Sequence, residues 1–195
     1  MPHQNRVTPY GEIVVSPLRG RWLGNRGCVH RGTDVVRPWN GKRWITCALE
    51  YKGWVAPKWE PGRWTALFFY DEAVAFAAGH RPCALCRRAD YRRYCAAVAQ
   101  TRADAIDARL HTDRLDGRRK RLHTMPWREV PVGAFVQVDD AAMLVAPDRL
   151  RSWSDHLGYE AEFERPEAGI AMVITPAANV AAIAAGYELQ IGPDT

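Results

Sequence analysis

The sequence predicts an α+β fold, in which a zinc-stabilised lobe of short strands and helices precedes a small antiparallel sheet with a C-terminal helix. The chain has 195 residues, of which 47% are hydrophobic, enough for a real core. Its first part is rich in Gly, Pro and Trp, whereas alternating apolar runs dominate the last third. We therefore predict a zinc-binding lobe over residues 1–100, a basic helical connection over 101–131 and a β lobe over 132–195, together forming one compact unit.

Three short apolar runs predict the strands of the first lobe. They cover residues 12–15, 44–49 and 67–69. Turn signals separate them, namely Asn40-Gly41 and Pro61-Gly62.

Capping residues and apolar spacing predict three helices in the middle of the chain. Asp71 suits the N-cap of a short helix that ends at Ala78, and Gly79 suits the position after it. A longer helix is expected from about residue 83 to 100, with its arginines solvated. A third is expected over residues 103–115.

The last third of the chain predicts two hairpins. Residues 134–138 and 142–145 flank Asp139-Asp140, and residues 161–164 and 170–174 flank a Pro-Glu-Ala-Gly turn.

A terminal helix is expected after the second hairpin. Thr175-Pro176 supplies an N-cap residue followed by proline in the first turn, and Gly186 supplies a stop. The β lobe should therefore be a sheet covered by one helix.

The cysteines favour metal binding over disulfides. There are five, an odd number, and the polar N-terminus shows no signal peptide. These features predict a cytoplasmic protein with reduced thiols. No apolar run is long enough to span a bilayer.

Four residues are the expected ligands of one zinc ion. Cys83 and Cys86 have Cys-x-x-Cys spacing on a predicted tight turn, which suits two positions of a tetrahedral site. Cys28 and His30 lie in a glycine-rich loop and would complete a Cys₃His set. Cys47, inside an apolar strand, is interpreted as a small core residue.

Residues 77–86 read Ala-Ala-Gly-His-Arg-Pro-Cys-Ala-Leu-Cys. This run resembles the zinc-binding domain at the N-terminus of the Ada DNA repair protein family. The resemblance implies that Cys83 and Cys86 bind zinc, that Arg81 and Pro82 belong to the motif, and that the partner is DNA. In that family two cysteines upstream complete the site, and one accepts a methyl group from a DNA phosphotriester. That upstream pair is not reproduced here, and His80 replaces an aromatic residue of the motif.

Basic residues are concentrated in the middle of the chain. The net charge is +5 and the pI about 9.1, which favours an anionic partner. We expect nucleic-acid contacts, with DNA favoured over RNA, from two runs of cations. They are Arg81, Arg87, Arg88, Arg92 and Arg93 around the predicted helix, and Arg118, Arg119, Lys120 and Arg121 in a loop.

Acid–base chemistry is a second possibility from the same region. His111, His123 and Asp113 flank the basic loop and are candidate catalytic residues for attack on a phosphodiester. No phosphate-binding loop or dinucleotide fingerprint is present.

Three functions remain open from the sequence. The leading one is a zinc-stabilised nucleic-acid-binding protein of bacterial DNA repair or processing. The alternatives are a DNA-acting hydrolase or repair enzyme with a pocket between the lobes, and a small-molecule or protein-binding module with purely structural zinc.

Overall fold

A computed structural model describes residues 3–192 and shows an α+β fold. Its first sheet is mixed and has six short strands. In spatial order they are β10 (Arg81–Pro82), β6 (Ile45–Cys47), β3 (Trp22–Asn25), β9 (Leu67–Phe69), β1 (Gln4–Val7) and β2 (Ile13–Val15). The pairs β1–β9 and β10–β6 are parallel, and the others are antiparallel.

The second sheet is antiparallel throughout. In spatial order its strands are β13 (His123–Pro126), β18 (Ile170–Val173), β14 (Phe135–Val138), β15 (Ala141–Val145), β16 (Arg149–Ser154) and β17 (Gly158–Glu164). The first predicted hairpin is confirmed as β14–β15. Asp139 and Asp140 form its turn with φ angles of 48° and 63°, the left-handed conformation that a two-residue hairpin requires.

The second predicted hairpin is wrong. The strand over Gly158–Glu164 pairs with β16 at the sheet edge, whereas the strand over Ile170–Val173 lies between β13 and β14. Burial explains the difference. Ala171 and Val173 enter the core, while most of β17 is exposed, so β18 gains more from a central position than from pairing with its neighbour in sequence.

The remaining described elements are short. They are the strand pairs β4 (His30–Arg31) with β5 (Asp34–Val35), β7 (Glu50–Tyr51) with β8 (Trp54–Val55), and β11 (Leu115–Asp116) with β12 (Arg119–Lys120), together with a 3₁₀ turn at Trp127–Glu129. The predicted basic loop is therefore a small hairpin, β11–β12.

Four α-helices complete the described chain. They are α1 (Glu72–Ala77), α2 (Arg88–Ala97), α3 (Ala103–Arg114) and α4 (Ala177–Ala184). Asp71 caps α1 as expected, since its Oδ1 accepts a hydrogen bond from Val74 N at 2.9 Å. Helix α2 begins later than expected because the preceding residues form a tight turn, closed by a hydrogen bond from Arg87 N to Cys83 O.

Helix α4 is capped differently from the prediction. Thr175 Oγ1 accepts a hydrogen bond from Phe135 N at 2.8 Å and so serves the sheet. The capping acceptor is Asp113, whose Oδ2 takes the Ala178 N–H at 3.0 Å.

One hydrophobic cluster joins both predicted lobes. Helix α1 is fully buried, and its Val74 packs in a cluster with Phe69 of the first sheet and Phe135 and Leu144 of the second. Glu72 is buried in the same helix. It accepts hydrogen bonds from Tyr187 Oη and Gln190 N and forms an ion pair with Arg87, so a charge that would be costly alone has three partners.

Candidate metal centre and cationic cleft

Strand pairing places Cys47 beside Cys83. In the parallel pair β6–β10, Thr46 lies opposite Pro82, and Cys83 N donates a hydrogen bond to Thr46 O at 2.9 Å. Each cysteine is the next residue along its strand. The sheet therefore brings together two thiols that are far apart in the sequence.

The turn after β10 adds the third thiol. Cys86 returns toward Cys83, and Leu85 N lies 3.4 Å from Cys83 Sγ, a distance suited to an N–H···S hydrogen bond. The sulfurs of Cys47, Cys83 and Cys86 all lie within 4.8 Å of one another. Three thiolates at this spacing fit three positions of a tetrahedral site, in which each sulfur stands about 2.3 Å from the metal.

The three thiols share protons in the absence of a metal. Hydrogen bonds from Cys47 and Cys86 lower the pKa of Cys83 to about 2. The same contacts with Cys83 and Cys86, aided by burial, raise the pKa of Cys47. One thiolate thus sits among thiol donors, and a bound cation would replace those shared protons.

The structure corrects the expected ligand set. Within residues 3–192, Cys47, Cys83 and Cys86 are the one group of Cys, His, Asp or Glu side chains with three members close enough to share an ion. Cys28 and His30 are outside it. Cys28 Sγ lies 3.7 Å from the carbonyl oxygen of His30, and His30 Nδ1 is hydrogen-bonded to Thr65 Oγ1 at 2.6 Å.

The interpretation of Cys47 as a core residue was therefore wrong. It is partly buried and faces the other two sulfurs. The available signal was weak: Cys47 is closer in sequence to the Cys-x-x-Cys turn than Cys28 is. The decisive pairing of β6 with β10 is a long-range contact that local patterns do not reveal.

The residues just before the metal-binding turn have buried partners. Gly79, with φ of 88°, lies against Arg114, which donates a hydrogen bond to its carbonyl oxygen at 2.9 Å. His80 is fully buried and accepts a hydrogen bond from Arg26 Nε at 3.1 Å. Burial first, and then the charge of Arg26, lower the pKa of His80 well below its usual value, so this imidazole is a neutral acceptor.

A cationic cleft lies next to this segment. It has a volume of about 390 Å³. Its lining includes five cations and one carboxylate, namely Arg26, Arg114, Arg118, Arg119, Lys120 and Glu12. Tyr10, Trp39 and Trp44 supply its aromatic surface.

The cations on the floor of the cleft are not neutralised by carboxylates. Arg26 donates hydrogen bonds to the carbonyl oxygen of Gly11 at 2.6 Å and to His80, and Lys120 donates to the carbonyl oxygen of Ala77. Arg26 Nη2 and Arg114 Nε are buried without a hydrogen-bond partner. Buried polar groups in that state are uncommon and often mark a missing ligand.

The pKa values of these cations reflect their crowding. Burial and the charge of Arg114 lower the pKa of Arg26 well below its usual value. Burial lowers the pKa of Arg114 to about 9. Burial, followed by the charges of Arg26 and Arg114, lowers the pKa of Lys120 well below its usual value. An anion in the cleft would oppose all three effects.

Two of the arginines expected to contact nucleic acid are buried. Arg81 forms a two-pronged ion pair with Asp107, at 2.8 and 2.7 Å. Arg87 pairs with Glu72 and Asp90, both at 2.7 Å. Because their guanidinium groups are already paired inside the protein, we exclude both from any proposed phosphate-binding surface.

The other expected contacts divide between two places. Arg88, Arg92 and Arg93 are exposed on α2, with Arg93 paired to Asp90. The β11–β12 hairpin carries the second run. Arg118 and Arg119 are exposed at the cleft, Lys120 lies partly exposed in it, and Arg121 is exposed and pairs with Asp116 at 3.6 Å.

The candidate catalytic residues have identifiable local partners. His111 Nδ1 is hydrogen-bonded to Arg114 Nη2 at 3.0 Å, and Asp113 caps α4. Burial lowers the pKa of His123, and the nearby Asp113 charge partly opposes that effect. These contacts account for the positions of the side chains, and a catalytic role stays a prediction.

No family model, curated protein or solved structure matches this chain. The Ada resemblance accordingly remains a prediction. Among the described residues, the helices are too short or too polar to cross a bilayer.

Proposed function

We propose that this chain is a zinc-stabilised protein that binds nucleic acid through its phosphates, in bacterial DNA repair or processing. The observation that carries the proposal is the cationic cleft, where buried Arg26 and Arg114 have unpaired donors and the exposed Arg118 and Arg119 stand at the entrance.

The donor set favours zinc as the metal. Three thiolates form a soft ligand set, which suits zinc far better than magnesium or calcium. Bound there, zinc supplies a cross-link and positive charge. Cys47 on β6 and the Cys83–Cys86 turn would be fixed to each other directly before α2. The ion would thereby secure the segment from Gly79 to Cys86, whose first residue packs on Arg114 of the cleft.

The excess of buried cations favours an anionic partner. Burying guanidinium and ammonium groups without carboxylates is unfavourable for folding, so a ligand that neutralises them is the simplest physical reason for their presence. Phosphates meet this need, and the release of their counterions adds a salt-dependent gain.

The aromatic lining favours an unpaired strand. Trp39 is partly exposed in the cleft, and its ring lies 5.8 Å from that of Trp44. Bases of a single strand stack on such side chains with little sequence preference. The resemblance to the Ada family favours DNA over RNA.

Fluorescence anisotropy with labelled single-stranded DNA, duplex DNA and RNA tests this function. We expect salt-sensitive binding with single-stranded DNA tightest. The double variant Arg118→Ser/Arg119→Ser should weaken binding about tenfold and reduce the slope against salt by about two phosphates. The matched control Arg88→Ser/Arg92→Ser removes the same charge from α2 and should change affinity less than about threefold.

Two results would contradict the proposal. One is a wild-type protein that binds none of the three nucleic acids at low salt. The other is an equal loss in the two double variants, since that would place binding on diffuse surface charge and not in the cleft.

A further inference from the structure

We propose that the cleft holds the phosphomonoester at the end of a nucleic-acid strand, so that the protein prefers phosphorylated ends to hydroxyl ends. This inference rests on the proposed function, because it names the part of the nucleic acid that this same cleft receives.

The size of the cleft limits what can enter. Its volume of about 390 Å³ is near the lower end of the range for small-molecule sites. A space of this size accommodates a phosphate with one attached nucleotide. A long contact surface for a duplex would instead need an extended groove.

The charge of the cleft favours a monoester over a diester. A terminal phosphate carries nearly two negative charges at neutral pH and three strong acceptor oxygens, whereas an internal phosphodiester carries one charge. Arg26, Arg114 and Lys120 stand together with only the exposed Glu12 among the lining carboxylates. The more highly charged group therefore gains more from the cleft.

The groups of the cleft divide the work. Lys120 and the two arginines of the hairpin, Arg118 and Arg119, are accessible and would contact the phosphate oxygens. Arg26 is fully buried at the floor, fixed by Gly11 and His80, with Nη2 left unpaired. Its charge acts on the phosphate from below, in a region where burial strengthens electrostatic attraction.

An oligonucleotide series tests the inference. Anisotropy is measured for one single-stranded DNA sequence carrying a 5′-phosphate, a 3′-phosphate or hydroxyl groups at both ends, with adenosine monophosphate and inorganic phosphate as competitors. We expect one phosphorylated form to bind at least about tenfold more tightly than the hydroxyl form. Adenosine monophosphate should compete more weakly than that strand.

Two variants separate the end preference from general binding. Lys120→Gln should remove most of the preference for the phosphorylated end while changing affinity for the hydroxyl form less than about threefold. Because Lys120 is partly enclosed, Arg119→Ser serves as a second variant whose exposed side chain is not needed for folding. The control Arg92→Ser should keep the full preference.

The outcomes are distinguishable. Equal binding of phosphorylated and hydroxyl strands would overturn the inference and leave the proposed function standing. Adenosine monophosphate binding as tightly as the phosphorylated strand would also overturn it, since the site would then belong to a free nucleotide. Absence of binding to every strand would overturn the proposed function itself.

Discussion

Arg26 and Arg114 pack on the same aromatic ring. Their guanidinium carbons lie 4.0 and 3.8 Å from the centroid of Trp44. Carbonyl oxygens hold each one, those of Gly11 for Arg26 and of Gly79 and Lys42 for Arg114. Cation–π contacts and carbonyl dipoles offset part of the repulsion between two like charges. The arrangement still lacks a counter-charge, and the first two predictions follow from that lack.

Polyvalent anions should stabilise the folded protein. Phosphate or sulfate that enters the cleft binds only the folded state, so the melting temperature should rise with its concentration. Sodium chloride at matched ionic strength should have a smaller effect, and Lys120→Met should reduce the response to phosphate. Differential scanning fluorimetry measures both. An identical response to phosphate in the wild type and in Lys120→Met would argue against an anion site at this lysine.

Stability should rise with pH above neutrality. The folded pKa of Lys120 is lowered well below its unfolded value of 10.5, so between the two values the unfolded chain binds more protons. The free energy of unfolding therefore increases as pH rises through this window and decreases as it falls. Each proton contributes up to about 1.4 kcal/mol per pH unit. The lowered pKa values of Arg26 and Arg114 act in the same direction.

Urea unfolding of metal-loaded protein between about pH 7 and pH 10 measures this dependence. Lys120→Met should flatten the curve relative to the wild type. A wild-type curve that falls with pH would show that the cations are not desolvated as the structure indicates.

The Arg81–Asp107 pair should be essential for folding even though it is ionic. The side chains are 3% and 9% exposed. Asp107→Asn removes the counter-charge of a buried guanidinium and should cost about 3–5 kcal/mol of stability. The double variant Arg81→Met/Asp107→Leu leaves no buried charge and should recover much of that loss. Chemical denaturation of the three proteins checks the order, and a double variant less stable than Asp107→Asn would refute the account.

Gly79→Ala should be more damaging than an equivalent change at another left-handed glycine. A Cβ at Gly79 would lie 2.6 Å from Arg114 Cδ, in addition to the strain from its φ of 88°. Gly117 has φ of 59° and no heavy atom within 4 Å of an added Cβ. We expect a loss of about 1 kcal/mol for Gly117→Ala and at least about 2 kcal/mol more for Gly79→Ala. Equal losses in thermal unfolding would contradict the close packing on Arg114.

Local signals predicted local structure well. The Asp71 cap, the left-handed Gly79 and the Asp139-Asp140 hairpin all depend on a few neighbouring residues, and the structure confirms each of them. Helix α3 was expected over residues 103–115 and is observed over Ala103–Arg114.

Long-range pairing was the part that sequence patterns could not supply. The insertion of β18 between β13 and β14, and the pairing of β6 with β10 that adds Cys47 to the thiol group, both depend on contacts between distant segments. The same reason applies to Arg81. It reads as a free basic residue until Asp107 is brought beside it by α3.

Metal content of the purified protein tests the central claim that the sheet assembles a zinc site from Cys47, Cys83 and Cys86. Elemental analysis should find a stoichiometric zinc ion in the wild type and in the matched control Cys28→Ser, and a large loss in Cys47→Ser. Zinc retained in Cys47→Ser but lost in Cys28→Ser would contradict the account, as would a wild-type protein that takes up no zinc.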